Sequence, residues 1–192
     1  MKHLAISINT ESKESDKIFA DLKKIIEQQI EKEIRILTIG MPKDISEESL
    51  TEFFKFYLKK DYLNKKKIKL SFVGKWYDLP SSLLNIIKEL IDETRDYDSY
   101  FLNFTINYDG QEEIVDACKL MCRQVAAGKL DLEKIDKNSI KENLYSSYFF
   151  PPELIIVTGK KKKTDGFLLW DSVDSEIVFT GKDFDSDVEK FV

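Results

Sequence analysis

The sequence is poor in the residues that build most compact ligand sites, with seven glycines, four prolines, two cysteines and one histidine among 192 residues. Cys118 and Cys122 stand four positions apart in a segment of helical periodicity, an arrangement that is not typical of a disulfide framework. A metal site would need a second pair of cysteines or histidines, which the chain lacks. We therefore predict that both cysteines are reduced thiols in the core.

Long apolar runs and a positive net charge are also absent. No stretch approaches the roughly 20 apolar residues of a membrane-spanning helix, and the amino-terminal segment turns polar too early for a secretory signal. The net charge of -5 excludes a general nucleic-acid binder, because phosphate backbones require a basic surface. We expect a cytoplasmic protein without a transmembrane segment, with peripheral membrane contact through a local basic patch as an open alternative.

The composition that remains is that of a globular protein, with 42% hydrophobic and 34% charged residues. A domain typically takes about 150 residues, so residues 1–192 are predicted to form one domain. Short β-branched runs alternate along the chain with stretches of helical periodicity, which favours parallel strands joined by right-handed crossovers. The sequence predicts an α/β fold, a single-domain open parallel sheet of about six strands with helices on both faces. The predicted strands lie near residues 4–8, 34–40, 68–74, 99–108, 153–159 and 176–180.

Several helix boundaries are also predicted. Asp44 or Ser46 can cap a helix that runs through Lys60, and Gly128 is typical of the position after a helix C-terminus. Residues 167–171 resemble a short helix. The helix that ends before Gly128 is predicted to turn one stripe inward, formed by Ile114, Val115, Cys118, Met121, Cys122 and Val125.

Ligands of an open parallel sheet gather at the carboxyl ends of its strands. The candidate loops therefore follow Ile8, Gly40, Gly74, Tyr108 and Thr158. The first loop contains no glycine, so it is not a phosphate cradle of the usual kind.

The loop after Thr158 carries the one strong basic cluster at a predicted strand end, formed by Lys160, Lys161, Lys162 and Lys163. This cluster could bind a diphosphate or an anionic membrane surface. A solvated loop is the alternative, and charge runs of this kind favour it.

Three blocks of the sequence resemble the cis-prenyltransferase family, whose members elongate isoprenoid diphosphates: HLAISINTES, NYDGQEEIV and LIIVTGKKKKTDGFLLWDSVDSEIVFT. The resemblance implies the cis-prenyltransferase fold, and in active members Mg²⁺ held with the diphosphate by an Asp of the first block. This chain has Asn9 at that position, and a neutral amide is a poorer Mg²⁺ ligand than a carboxylate. Glu176 matches the acidic residue that contributes to magnesium binding in the family.

Other charged positions of the family pattern are replaced. Gln111 and Val157 stand where the family has Arg, and neither carries a charge. Lys163 stands at a second Arg position, where it keeps the charge but loses the bidentate fork. The residues implied to bind diphosphate are thus Lys160 to Lys163 together with Asn9.

The resemblance also implies a prenyl tunnel and a dimer surface. Phe53, Phe54 and Phe56 occupy the helix that lines the tunnel in the family, although aromatic stripes on helices are more often core. Trp170, Glu176 and Phe179 fall in the family's dimer region.

The functional expectation follows from the replaced charges. The chain is similar to the non-catalytic, Nogo-B receptor-type subunits that pair with a catalytic cis-prenyltransferase. We predict a partner subunit in a heterodimer, with a homodimer left open, that supports synthesis of a polyprenyl or dolichol-type glycosyl-carrier lipid. A divergent active enzyme that uses Mg²⁺ at Glu176 and isoprenoid diphosphates at the lysines is the alternative. A third possibility is a protein that keeps the fold but binds another partner or anion.

Overall fold

One sheet of six parallel strands organises the protein. The structure is a computed structural model that describes residues 1–9, 15–42, 44–59 and 61–181. The strands are β1 (His3–Ser7), β2 (Ile36–Gly40), β3 (Ile68–Val73), β4 (Tyr100–Thr105), β5 (Leu154–Val157) and β6 (Glu176–Phe179). Their order in the sheet is β3-β4-β2-β1-β5-β6, and every neighbouring pair is parallel. The predicted α/β fold with a parallel sheet is confirmed.

Helices fill most of the connections between strands. They are α1 (Ser15–Glu31), α2 (Glu47–Lys59), α3 (Tyr62–Lys66), α4 (Ser81–Thr94), α5 (Gly110–Ala126) and α6 (Lys137–Glu142). Ser46, and not Asp44, caps α2, because its Oγ accepts a hydrogen bond from the backbone N–H of Ser49 at 3.2 Å. The predicted end of this helix at Lys60 lies outside the described residues. None of the helices in the described ranges is both long enough and apolar enough to cross a bilayer.

The main hydrophobic core lies between one face of the sheet and helices α1, α2 and α4. Leu4, Ile6, Leu37 and Ile39 alternate along the two central strands and are fully buried on this face. Burial of each such side chain contributes about 1.5–3 kcal/mol of transfer free energy. The same packing explains why the apolar stripes of these helices are readable from the sequence.

The opposite face of the sheet carries smaller and more polar side chains. His3 of β1 donates through Nδ1 to the carbonyl oxygen of Phe150 at 2.5 Å and accepts through Nε2 from the Thr38 hydroxyl at 2.8 Å. Asn103 of β4 donates to the same Thr38 oxygen at 3.0 Å. The one histidine of the chain is therefore a buried structural residue that links three strands.

Helix α5 buries only part of the stripe predicted from its sequence, because Met121 is turned inward but Val115 and both cysteines are not. Its buried side chains are Glu113, Ala117 and Met121, whereas Val115 is 50% exposed. Cys118 and Cys122 are free and exposed, so the prediction of core thiols was wrong. The physical reason is Glu113, whose buried carboxylate fixes the rotation of the helix by accepting two hydrogen bonds from outside it.

The segment predicted as a short helix at residues 167–171 is a series of turns. Asp165, Gly166 and Leu168 have positive φ values of 46°, 77° and 45°, and a right-handed helix cannot pass through such residues. Helical geometry begins only at the 3₁₀ turn Asp171–Asp174.

Candidate functional site

An open cavity of about 460 Å³ lies at the carboxyl ends of β1, β2 and β4. Residues of four of the five candidate loops lie on its walls together with Tyr108 itself, because parallel strands place their carboxyl ends at one edge of the sheet. Apolar side chains such as Ile8, Met41 and Leu79 line it beside polar ones. The aromatic walls are Tyr108 and Phe167, whose rings lie 6.5 Å apart in an edge-to-face arrangement.

Carboxylates outnumber ammonium groups among the described residues that line this cavity. The ammonium groups belong to Lys160 and Lys161, and the carboxylates to Asp44, Glu47, Asp78 and Asp165. None of these four acidic positions was proposed from the sequence as a site residue. Their mutual arrangement depends on the loops after β2, β3 and β5, which only the tertiary structure brings together.

Asn9 lies on the cavity wall with both polar atoms of its side chain engaged within the protein. Its Oδ1 accepts a hydrogen bond from the Ser7 hydroxyl at 3.2 Å, and its Nδ2 donates to the carbonyl oxygen of Lys163 at 2.9 Å. Its backbone N–H donates to Thr158 Oγ1 at 3.3 Å. Asn9 therefore ties the end of β1 to the segment that follows β5.

The four lysines after Gly159 do not share one environment. All four are exposed, but Lys160 and Lys161 line the cavity, whereas Lys162 and Lys163 are not part of the cavity wall that the described residues form. The backbone N–H of Lys163 donates to the carbonyl oxygen of Lys161 at 2.9 Å, which folds the loop back on itself. Diphosphate binding by these lysines stays a prediction, and the geometry favours Lys160 and Lys161 for it.

The described residues do not fit the magnesium site that the resemblance implies. Glu176 is the first residue of β6 and is paired with Leu154, the first residue of β5, so it lies at the amino end of the sheet. The cavity and Asn9 lie at the carboxyl end: Leu154 is level with Leu4 of β1, and Asn9 follows Leu4 by five residues, which is about 16 Å along a strand. Within one chain Glu176 and Asn9 cannot share a cation. Within the described ranges, no three His, Cys, Asp or Glu side chains converge as metal ligands.

The phenylalanines assigned to a prenyl tunnel are packed differently. Phe53 and Phe54 are buried in the main core, where Phe53 stacks on Phe19 at a centroid distance of 4.6 Å. Phe56 is partly exposed, and the Lys23 ammonium lies 3.9 Å from its ring centroid. None of the three lines the cavity formed by the described residues. Phe53 and Phe54 are therefore core residues in this structure. A tunnel along them would require their rings to move apart.

Two replaced arginine positions lie outside the cavity wall. Val157 is fully buried on the polar face of the sheet, where it packs in a small cluster with Phe167 and Leu168. Gln111 lies in the first turn of α5, with its side chain exposed. Neither side chain brings a charge to the cavity.

A buried hydrogen-bond network behind Tyr108 was not found from the sequence. The Tyr108 hydroxyl donates to Glu113 Oε2 at 2.5 Å, and the backbone N–H of Ser146 donates to Glu113 Oε1 at 3.0 Å. Burial raises the pKa of Glu113 above its ordinary value. Lys141 joins the same region, with its Nζ 2.7 Å from Asp171 Oδ2 and 2.8 Å from the Ser146 carbonyl oxygen. The only sequence signal was an acidic residue in a first helical turn, which is usually solvent-exposed.

The residues assigned to a dimer surface surround an open sheet edge. β6 is the last strand of the sheet, and its outer edge has no partner strand among the described residues. Trp170 and Phe179 are partly exposed and Glu176 is exposed. Val173, which precedes β6, is 82% exposed. A role for these residues in an interface stays a prediction.

Residues 19–187 match the family model Prenyltransf, described as "Putative undecaprenyl diphosphate synthase". A tritrans,polycis-undecaprenyl-diphosphate synthase from Thermoplasma volcanium, described as geranylgeranyl-diphosphate specific, is 34% identical over 131 residues, which cover 68% of this chain and 51% of the relative. A ditrans,polycis-undecaprenyl-diphosphate synthase from Buchnera aphidicola, specific for (2E,6E)-farnesyl diphosphate, is 31% identical over 172 residues, covering 84% of this chain and 69% of that relative. The chain spans about half the length of the first curated relatives that it matches.

The fold is similar to that of solved structures. Lavandulyl diphosphate synthase from Lavandula x intermedia, crystallised with dimethylallyl diphosphate, superposes with a TM-score of 0.86 at 22% identity. The superposition covers 98% of this chain and 92% of that one. At this identity the likeness supports the fold alone.

Proposed function

The chain belongs to the undecaprenyl diphosphate synthase family of cis-prenyltransferases, and we propose that it is a non-catalytic subunit within that family. It would pair with a catalytic cis-prenyltransferase and support synthesis of a long-chain polyprenyl diphosphate, the precursor of a dolichol-type glycosyl-carrier lipid. The observation that carries this proposal is the side chain of Asn9, whose polar atoms are both bonded within the protein at the cavity wall.

The charge of the cavity supports the same proposal. A diphosphate is a polyanion, and the described residues that line the cavity include four acidic residues and two lysines. Like charges repel one another, and carboxylates near a bound diphosphate would oppose its binding. Binding would therefore need a cation, and Asn9 brings a neutral amide to the position at which the family pattern has a metal-binding Asp.

A divergent active enzyme is the second candidate, and the position of two lysines favours it. Lys160 and Lys161 lie at the cavity, where their ammonium groups could contact a diphosphate. The relatives that the chain matches are themselves described as synthases. On this alternative the protein condenses isopentenyl diphosphate onto an allylic diphosphate with Mg²⁺.

Elongation assays separate the two candidates. The purified chain is incubated with Mg²⁺, labelled isopentenyl diphosphate and an allylic diphosphate, alone and mixed with a family member from the same organism that retains the Asp and Arg motifs. We expect no elongation by the chain alone and a higher rate for the mixture than for the other member by itself. Elongation by the chain alone, abolished when Lys160 and Lys161 are both replaced by Ala, would establish the active alternative.

The proposal also carries an expectation about location. Such a subunit works in the cytoplasm, and the exposed lysines after Gly159 would be its contact with an anionic membrane surface. Fractionation of cells expressing the protein, followed by a salt wash of the membrane fraction, tests this expectation. Release by salt supports a peripheral electrostatic contact.

A further inference from the structure

We propose that Asn9 is a positioning residue whose side-chain amide fastens the lysine loop, defined as residues 160–163, to the end of β1 beside the cavity. This inference rests on the proposed function, because it assigns a structural role to the position at which the family carries a metal-binding Asp. Its geometric basis is independent of whether the chain elongates prenyl diphosphates.

The base of the lysine loop is held by backbone contacts to β1. The Thr158 N–H donates to the Ser7 carbonyl oxygen at 3.0 Å, and the Asn9 N–H donates to Thr158 Oγ1. Gly159 follows with φ of +94°, and a Cβ on it would lie 1.6 Å from the Asn9 carbonyl oxygen. The two chain segments thus approach as closely as two backbones can, and only a glycine permits it.

The far end of the lysine loop is held by the Asn9 side chain. Nδ2 donates to the carbonyl oxygen of Lys163, four residues beyond the glycine, while Oδ1 is oriented by the Ser7 hydroxyl. The loop is therefore fixed at both ends, and the residues between the two attachments include Lys160 and Lys161, which line the cavity.

An Asn supplies this attachment and an Asp cannot. The bond to Lys163 requires a donor, because a backbone carbonyl oxygen only accepts hydrogen bonds. An ionised carboxylate also only accepts, so an Asp would direct an oxygen at the Lys163 carbonyl and repel it. The amide of Asn9 therefore has a role in holding the loop, in addition to replacing a metal-binding carboxylate.

Hydrogen exchange measured by mass spectrometry on peptides covering residues 158–166 tests the attachment. Asn9→Ala removes the donor, and Asn9→Asp removes it and adds repulsion. Loss of one hydrogen bond corresponds to exchange about fivefold faster in this segment, with a larger effect for the Asp variant. Asn107→Asp is the matched control, since it places the same added charge on the cavity wall without touching the loop. Unchanged exchange in both Asn9 variants would overturn the proposal.

A second measurement separates an attachment from a lost metal ligand. Binding of inorganic diphosphate is followed by calorimetry with and without Mg²⁺ for the wild type and Asn9→Asp. We expect the substitution to create no Mg²⁺-dependent binding, because its carboxylate disturbs the loop. Mg²⁺-dependent binding together with wild-type loop exchange would refute the proposal. Failure of the proposed function is a separate result, since elongation by the wild-type chain alone leaves the exchange rates of the Asn9 variants unaffected.

Discussion

His3 shows how a single buried polar residue can have a purely structural role. Its Nδ1 donates to the Phe150 carbonyl oxygen, and its Nε2 accepts from the Thr38 hydroxyl, an acceptor role that only the neutral ring can fill. Protonation of Nε2 would remove the acceptor that Thr38 uses. Burial lowers the pKa of His3 from its ordinary value of 6.5, because it penalises the charged ring.

This pKa shift predicts a loss of stability in acid. Below pH 6.5, the ordinary pKa value, the unfolded chain takes up a proton at His3 that the folded protein does not, so the free energy of unfolding falls as pH falls. Urea denaturation at pH 7.5 and 5.5 measures the difference for the wild type and for His3→Gln, which cannot titrate. We expect a smaller loss in the variant. Equal losses would contradict the role assigned to His3.

A second prediction for a single residue concerns Gly159. Gly159→Ala places a Cβ against the Asn9 backbone and adds the cost of a positive φ, so we expect it to lower the free energy of unfolding by about 3 kcal/mol or more. Gly128→Ala is the control, because Gly128 also has positive φ but has nothing within 4 Å of its added Cβ. The control should cost only about 1 kcal/mol. Equal effects of the two substitutions would argue against the close approach.

Among the helices, α5 shows where an apolar pattern misleads. Its sequence offers a stripe that includes Val115 and both cysteines, and hydrophobic periodicity predicts that this stripe is buried. Instead the helix turns Glu113 inward, because its carboxylate accepts hydrogen bonds from the Tyr108 hydroxyl and the Ser146 backbone N–H. The sequence of the helix does not predict the hydrogen bond from Ser146, because Ser146 lies 33 positions away in the chain.

The rotation of α5 can be tested by stability measurements. Met121→Ala should lower the free energy of unfolding by about 2–4 kcal/mol, since it empties a buried site. Val115→Ala should change it by less than about 0.5–1 kcal/mol, since half of that side chain is already exposed. Urea denaturation of both variants gives the comparison. A loss for Val115→Ala as large as that for Met121→Ala would restore the stripe predicted from the sequence, to which both residues belong.

For the molecule as a whole, the outer edge of β6, which has no partner strand among the described residues, is the feature with the clearest consequence for assembly. Ile177 on this strand is 37% exposed and Val173 before it is 82% exposed. An unpaired edge strand with apolar side chains is a surface that proteins usually cover or charge. The proposed pairing with a catalytic subunit would use this edge together with Trp170 and Phe179.

A charge on the edge strand tests this assembly. Ile177→Lys should reduce co-purification with the intact family member at least tenfold, because a lysine on an edge strand opposes strand and apolar contacts. Leu132→Lys serves as the control, as Leu132 is 64% exposed and precedes α6. Thermal unfolding should be the same for both variants. Co-purification that is equal for both would show that the partner binds elsewhere.

More of the fold than of the candidate site could be predicted from the sequence. The strands were readable because each is a short apolar run between polar or glycine-containing segments, as in Leu154–Val157. The position of the candidate loops, side by side at one edge of the sheet, could be predicted from the parallel pairing of the strands alone. The carboxylates of Asp44, Glu47 and Asp78 were missed as cavity residues, because their proximity depends on the path of loops that follow different strands.

The sequence by itself determined the α/β sheet, the main core and the family, because hydrophobic periodicity and short motifs are local properties of the chain. It also showed that Asn9 stands where the family pattern has a metal-binding Asp. Only the tertiary structure decided what Asn9 does, since its partner Lys163 is 154 residues away in the chain. The same holds for Glu176, which tertiary structure separates from the cavity, and for α5, whose rotation is fixed by distant hydrogen-bond partners. Contacts of this kind arise from the packing of whole elements, and no local pattern encodes them.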